Sequence, residues 1–255
     1  MLIEPRQVKL TTRTEIDVRR TIPHARLRTI GAWCFVDHFG PTPQTDGMVV
    51  AAHPHTGLQT VTWLIEGQIE HRDSIGSVQL IESGQLNLMT AGYGIAHSEV
   101  SLQTQSNLHA VQLWIALPEE SRNTDPHFEH HADLPVIHHG PLRAKIMAGE
   151  FLGQRAETKI YSDLMGAELR LAPGESSTVR VNKNFEHGFL VVESQAQLNE
   201  HEVPLHHLQY FEPGLEELTV TNTGDTELIA LLLGGVPLGE KILMWWNFIG
   251  RSHDD

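Results

Sequence analysis

Short runs that alternate apolar and polar residues fill most of this chain: "TVTWLIEGQIEH", "SVQLI", "NLHAVQLWIAL", "GFLVVES" and "LTVTNT", each closed by glycine, proline, asparagine or serine. A period of two puts successive side chains on opposite faces of an extended strand, whereas a helix needs a period near 3.6, which few windows supply. Short strands at this spacing predict an all-β protein of barrel or sandwich type with little helix. At 255 residues the chain suits two domains better than one. The polar, proline-punctuated stretch from Leu117 to Gly140 is the expected linker, with solvated histidines at His130, His131, His138 and His139. A boundary near Pro135 gives domains over 1–134 and 135–255. Both halves repeat a rhythm of strand, Ser-Gly or Pro-Gly turn and strand ("IESGQLNLM", "LAPGESSTV", "FEPGLEELTV"), which points to a duplicated β unit.

Charge and motif content narrow the function. Acidic residues outnumber basic ones 32 to 18, for a net charge of -14, so no direct nucleic-acid partner is expected. The one cysteine, Cys34, lies in the apolar stretch "GAWCFVDHF" and reads as a buried thiol in a reducing compartment. The N-terminus has no apolar signal-type core, and "LIALLLGGVPLG" is too short to span a bilayer, so the expectation is a cytoplasmic protein with no membrane partner. Phosphate-loop, dinucleotide-binding and serine-elbow motifs are all missing from the sequence.

Histidine spacing supplies the positive signal. In "AAHPHTG", His53 and His55 would project from one face of a strand with α-carbons roughly 6 to 7 Å apart, a separation that lets two ring nitrogens converge on one ion. In "LMTAGYGIAHSEV", His97 and Glu99 repeat the spacing, and Gly92 and Gly94 mark turns or close backbone approach. With 17 histidines either pair could arise by chance; two pairs beside strand patterns argue for one four-ligand site. Nitrogen and oxygen donors without thiolate suit iron, copper, nickel, cobalt, manganese or zinc alike. His206 and His207 follow a proline turn and read as solvated, and His187 stands alone in the C-terminal half.

The stretches "HPHTGLQTVTWLIEGQIEHRDSIGS" and "LMTAGYGIAHSE" closely resemble the signature of the pirin family, two-domain cupins. The resemblance is dense through "AVQLWIALP" and rests on length and strand rhythm beyond it. It implies two cupin-type barrels in tandem (a bicupin), with the metal in the first and a degenerate second barrel. By motif position it places the four ligands on His53, His55, His97 and Glu99. Gln59 and Thr60 stand where many cupins carry a glutamate, and Glu99 takes its place, as the pirin pattern expects. The resemblance further implies one divalent metal ion, Fe(II) first, and quercetinase-type chemistry: ring opening of a flavonol by dioxygen, with Glu99 as both ligand and catalytic base. Its other implication is a non-enzymatic, redox-sensing regulator that binds a protein partner. Trp63, Met89, Leu113 and Trp114 are candidate walls for an aromatic substrate. The tail "ILMWWNFIGRSHDD" carries too much aromatic surface for water, so it is expected to dock on the first barrel and tie the domains together.

Overall fold

The computed structural model describes residues 1–9, 16–43, 48–102 and 107–255, and all regular elements among them are β-strands. Among the described residues, no helix is long and apolar enough to cross a membrane. The chain forms two compact units. One contains Arg6–Ile22, Cys34–Asp133 and Gly239–Asp255; the other contains Met1–Pro5, Pro23–Trp33 and Leu134–Leu238. These differ from the expected halves, 1–134 and 135–255, at Met1–Pro5, Pro23–Trp33, Leu134 and Gly239–Asp255, and strand pairing gives the reason at the first: Leu2–Ile3 adds an edge to the later unit by pairing with Leu208–Phe211.

The first unit, here the N-terminal barrel, has a seven-stranded and a four-stranded antiparallel sheet. In the larger, His127–His131, Leu86–Thr90, Leu58–Glu66, Asn107–Ala116, Trp33–Pro43, Asp17–Ile22 and Arg6–Lys9 lie side by side in that order. The smaller orders Val49–His55, Ile95–Ser101, Gln68–Asp73 and Val78–Glu82. The second unit repeats the seven-plus-four arrangement, with Glu186–Glu193 and Leu228–Gly235 at the heart of its larger sheet, so the repeated turn rhythm reflects a repeated topology.

The expected linker is not a loop. His127–His131 pairs with Leu86–Thr90, and Val136–His139 pairs with Leu142–Ala148, so both add strands to sheets. Their polarity suits strands that keep one side in solvent. His130 Nδ1 meets the Asn87 side-chain oxygen at 2.8 Å and His131 meets Glu129 at 2.9 Å; these are edge-strand partners rather than solvated histidines.

Alternation decides what faces inward. In Ile95–Ser101, Ile95, His97, Glu99 and Ser101 are buried while the residues between them face outward. The barrel is floored by Val18, Phe39, Met48, Leu64, Ile69, Ile81 and Leu108, all buried in one cluster. Each such side chain contributes roughly 1.5 to 3 kcal/mol by leaving water. Cys34 is fully buried, and burial pushes its thiol well above the usual range.

Candidate metal centre

His53 and His55 end the strand Val49–His55, and His97 and Glu99 lie on the neighbouring antiparallel strand, with His97 directly opposite His53. The ladder slips between His97 and Glu99, a bulge that sets Glu99 opposite Val50. Gly92, at φ 53°, begins the turn before this strand; a Cβ there would collide with the Thr124 carbonyl, so the close approach expected of this glycine is real.

The three imidazoles converge. Ring centroids lie 4.8 Å apart for His53 and His55, 4.5 Å for His53 and His97, and 5.0 Å for His55 and His97. His55 Nε2 and His97 Nε2 face each other at 3.1 Å. Two nitrogens about 2.1 Å from one ion and at right angles around it would sit roughly 3 Å apart. One ring nitrogen from each of the three histidines falls within a 4.8 Å sphere of mutual distances, as do donor atoms of His71, His97 and Glu99.

Hydrogen bonds fix which nitrogens carry protons. His53 Nδ1 donates to the Ala51 carbonyl at 2.8 Å, leaving its Nε2 lone pair free. At the end of the strand Gln68–Asp73, Asp73 Oδ1 accepts the backbone N–H groups of Ile75 and Ser77, at 3.1 and 2.9 Å. Its Oδ2 accepts His71 Nε2–H at 3.1 Å. His71 Nδ1 is then an acceptor, and His97 Nδ1 donates to it at 3.3 Å. The chain of bonds leaves His97 Nε2 as a lone pair beside His55, and it occupies both nitrogens of His71, which makes His71 a support for His97 rather than a fourth nitrogen ligand. Phe128 stacks on His71 at 4.4 Å and holds the ring in place.

Burial keeps His55 and His97 neutral. It lowers His55 to a pKa of about 3, with the neighbouring His53 adding to the shift and the Asn247 backbone partly opposing it. Burial also drives His97 well below the usual histidine range, helped by His55, His53 and His71. Imidazoles that turn Nε2 lone pairs toward one another are what a cation would use. Glu99, 7% exposed, accepts the Thr62 hydroxyl at 2.7 Å.

The cluster opens into a cavity of about 720 Å³ whose lining includes Phe35, Met48, Trp114, Met244 and Trp246. Phe35 and Trp114 stack at 3.9 Å, with the Arg20 guanidinium 4.2 Å above Phe35 and forked onto Asp37 through two 2.6 Å bonds. Of the four walls expected from the sequence, only Trp114 lines this cavity; Trp63, Met89 and Leu113 are buried in packing elsewhere. Sequence reasoning missed His71 and Asp73, although their own i, i+2 spacing was a signal. It also missed Phe35, Thr62 and the tail residues, for which no local pattern exists.

The tail belongs to the same unit as the N-terminal barrel. Phe248 bridges to Thr56, and the Ile249 N–H donates to the Thr56 carbonyl at 3.0 Å. Its aromatics do not all bury, however: Trp245 and Trp246, at the tip of the hairpin formed by Leu243–Trp245 and Phe248–Gly250, are 75% and 61% exposed. His187 sits in the second unit, buried and far in sequence from any paired donor.

Tandem cupin barrels, the first bringing together His53, His55 and His97, with Glu99 grouped with His97 and His71 beside an aromatic-lined cavity, define a bicupin with a candidate metal centre. The chain belongs to the pirin family: the Pirin profile matches residues 15–115 and the Pirin C-terminal cupin domain profile matches residues 166–255. It is 44% identical over 239 residues to a Pseudomonas aeruginosa protein provisionally named quercetin 2,3-dioxygenase, covering 93% of this chain and 75% of that one. A crystal structure of quercetin 2,3-dioxygenase from Acinetobacter baumannii superposes with a TM-score of 0.94 at 40% identity, over 100% of this chain and 84% of the other. The fold also matches a bacterial pirin from Escherichia coli crystallised with nickel(II), at 20% identity and a TM-score of 0.70 over 93% of this chain and 99% of that one.

Proposed function

We propose that this protein is a metal-dependent oxygenase that opens the central ring of a flavonol such as quercetin with dioxygen, acting in the cytoplasm. The observation that carries the reading is the three-histidine cluster, with Glu99 beside it, in the wall of an aromatic-lined cavity. His53, His55, His97 and Glu99 hold one divalent ion, Fe(II) in the first instance, and the first barrel is the metal-binding cupin domain. When bound, the ion would supply Lewis-acid chemistry, accepting oxygen donors and acidifying a hydroxyl that reaches it.

The chain's own residues do the rest. His53 and His97 keep their Nε2 lone pairs inward through Ala51 and through the His71–Asp73 pair. Glu99, braced by Thr62, accepts the flavonol hydroxyl proton as general base. Phe35 and Trp114 receive the flat rings and keep water from the reacting face. Both atoms of dioxygen enter the product, two ring carbon–carbon bonds break and the carbon between them leaves as carbon monoxide, so no other oxidant is needed. Elemental analysis joined to a spectral assay tests this: one metal per chain, lost in His97→Ala and retained in His187→Ala, with quercetin absorbance decaying in air but not under argon. Metal held equally by both variants would refute the site.

A further inference from the structure

We infer that Trp246, at the tip of the C-terminal hairpin, is a specificity-determining residue that supplies an aromatic face for a flat, multi-ring polyphenol in the cavity; the assignment rests on the functional reading above. Trp245 pairs with Phe248, so Trp246 and Asn247 form a two-residue turn. Turns of this length take positive φ at their first position and favour glycine, asparagine or aspartate there. Trp246 adopts φ 53°, a left-handed conformation that a bulky side chain rarely accepts without compensation. The compensation is an anchored hairpin. Ile249 is 2% exposed and bonded to Thr56, next to His55. Gly57 has no Cβ, which would otherwise strike the Ile249 carbonyl. Arg251 donates to Glu240 at 2.6 Å and to the Leu117 carbonyl at 2.7 Å.

What this anchoring presents is an indole that lines the metal-side cavity and remains 61% exposed, with Phe248 packed edge-on at 5.5 Å and 81°. Phe248 steadies the ring without using up its surface. A tryptophan that served only the fold would bury most of its area, and a turn that served only the hairpin would use glycine. An indole fixed at a cavity edge is suited to stacking on an extended aromatic ligand, with a polyphenol's hydroxyls left to water and to the polar centre.

Equilibrium dialysis under argon, with quercetin and with the single-ring catechol as probes, tests the assignment. Trp246→Gly suits the turn, so its melting temperature should be no lower than that of the parent, and its quercetin Kd should rise on the order of tenfold. Trp246→Phe keeps an aromatic face and should stay within about threefold, which separates stacking from folding if the glycine variant melts early. Catechol affinity should be the same in all three proteins. Unchanged quercetin affinity in Trp246→Gly overturns the inference even if the protein consumes oxygen, and so does a parent protein that binds no quercetin. Weakened binding without any oxygen consumption in air supports Trp246 while removing the oxygenase reading.

Discussion

Asp73→Asn should weaken metal binding without touching a proposed ligand. Asp73 Oδ1 accepts two backbone N–H groups and Oδ2 accepts His71 Nε2–H. An asparagine must turn its oxygen to the two N–H donors, since its amide nitrogen there would oppose them, and this leaves NH₂ facing His71. Donor then meets donor, and His71 responds by carrying its proton on Nδ1. That nitrogen faces His97 Nδ1 at 3.3 Å, so His97 in turn must move its proton to Nε2, the nitrogen that looks toward His55. A metal can bind only if the tautomers revert and one buried hydrogen-bonding group goes unsatisfied, a cost of about 1 to 3 kcal/mol. This corresponds to a loss of roughly 10- to 100-fold in affinity, the range usual for outer partners of metal-bound histidine. Chelator competition with Co(II) or Ni(II) at fixed pH measures it, with melting of the metal-free proteins as the control for folding. His71→Gln, whose amide oxygen still accepts from His97 Nδ1, should lose less. Wild-type affinity in Asp73→Asn, or a larger loss in His71→Gln, would refute the tautomer argument.

Glu99→Gln, compared at equal metal occupancy, should lower flavonol turnover roughly 10²- to 10⁴-fold, the usual worth of a positioned base; an unchanged rate would remove that role. His187 titrates at about 4 in the folded state because burial disfavours its charged form, against 6.5 when exposed. The unfolded chain therefore binds the extra proton between those values, and stability is full above pH 6.5 and falls as the pH drops toward 4, by about 3 kcal/mol. Denaturant midpoints of His187→Gln should show a shallower fall between pH 6.5 and 4.5; parallel curves would count against it. Truncation before Met244 removes the buried Ile249 and the Arg251 anchor, so the product should melt lower and aggregate, as light scattering during a thermal ramp would show. A truncated chain with unaltered melting would mean the tail contributes nothing to the barrel.

That His53 with His55, and His97 with Glu99, would each share a face was legible in the sequence because a period of two survives into the fold. Their mutual pairing was not legible, since it depends on which strands become neighbours, and neither was the bulge that offsets Glu99 from Val50. The same non-local pairing hid His71 and Asp73 among 17 histidines. The cavity walls were obscured for a different reason. Leu58–Glu66 and Leu86–Thr90 are buried on both faces, so alternation cannot say which face meets the cavity, and Trp63 and Met89 were expected in the wrong place. Polarity misled at residues 117–140, where edge strands wear loop-like composition. Aromatic content foretold docking of the tail but not the exposed indoles, because the tail is held by Ile249, its bond to Thr56 and the Arg251 contacts rather than by its tryptophans.

Oxygenase chemistry at this centre stands or falls on the fate of dioxygen. Protein loaded with Fe(II) to one ion per chain and given quercetin under ¹⁸O₂ should release carbon monoxide in step with oxygen uptake, and mass spectrometry should find both labelled atoms in the ring-opened product. Fully metallated protein that binds quercetin yet consumes no oxygen with iron, nickel, cobalt, manganese, copper or zinc would contradict it and leave a metal-binding bicupin whose role is regulatory.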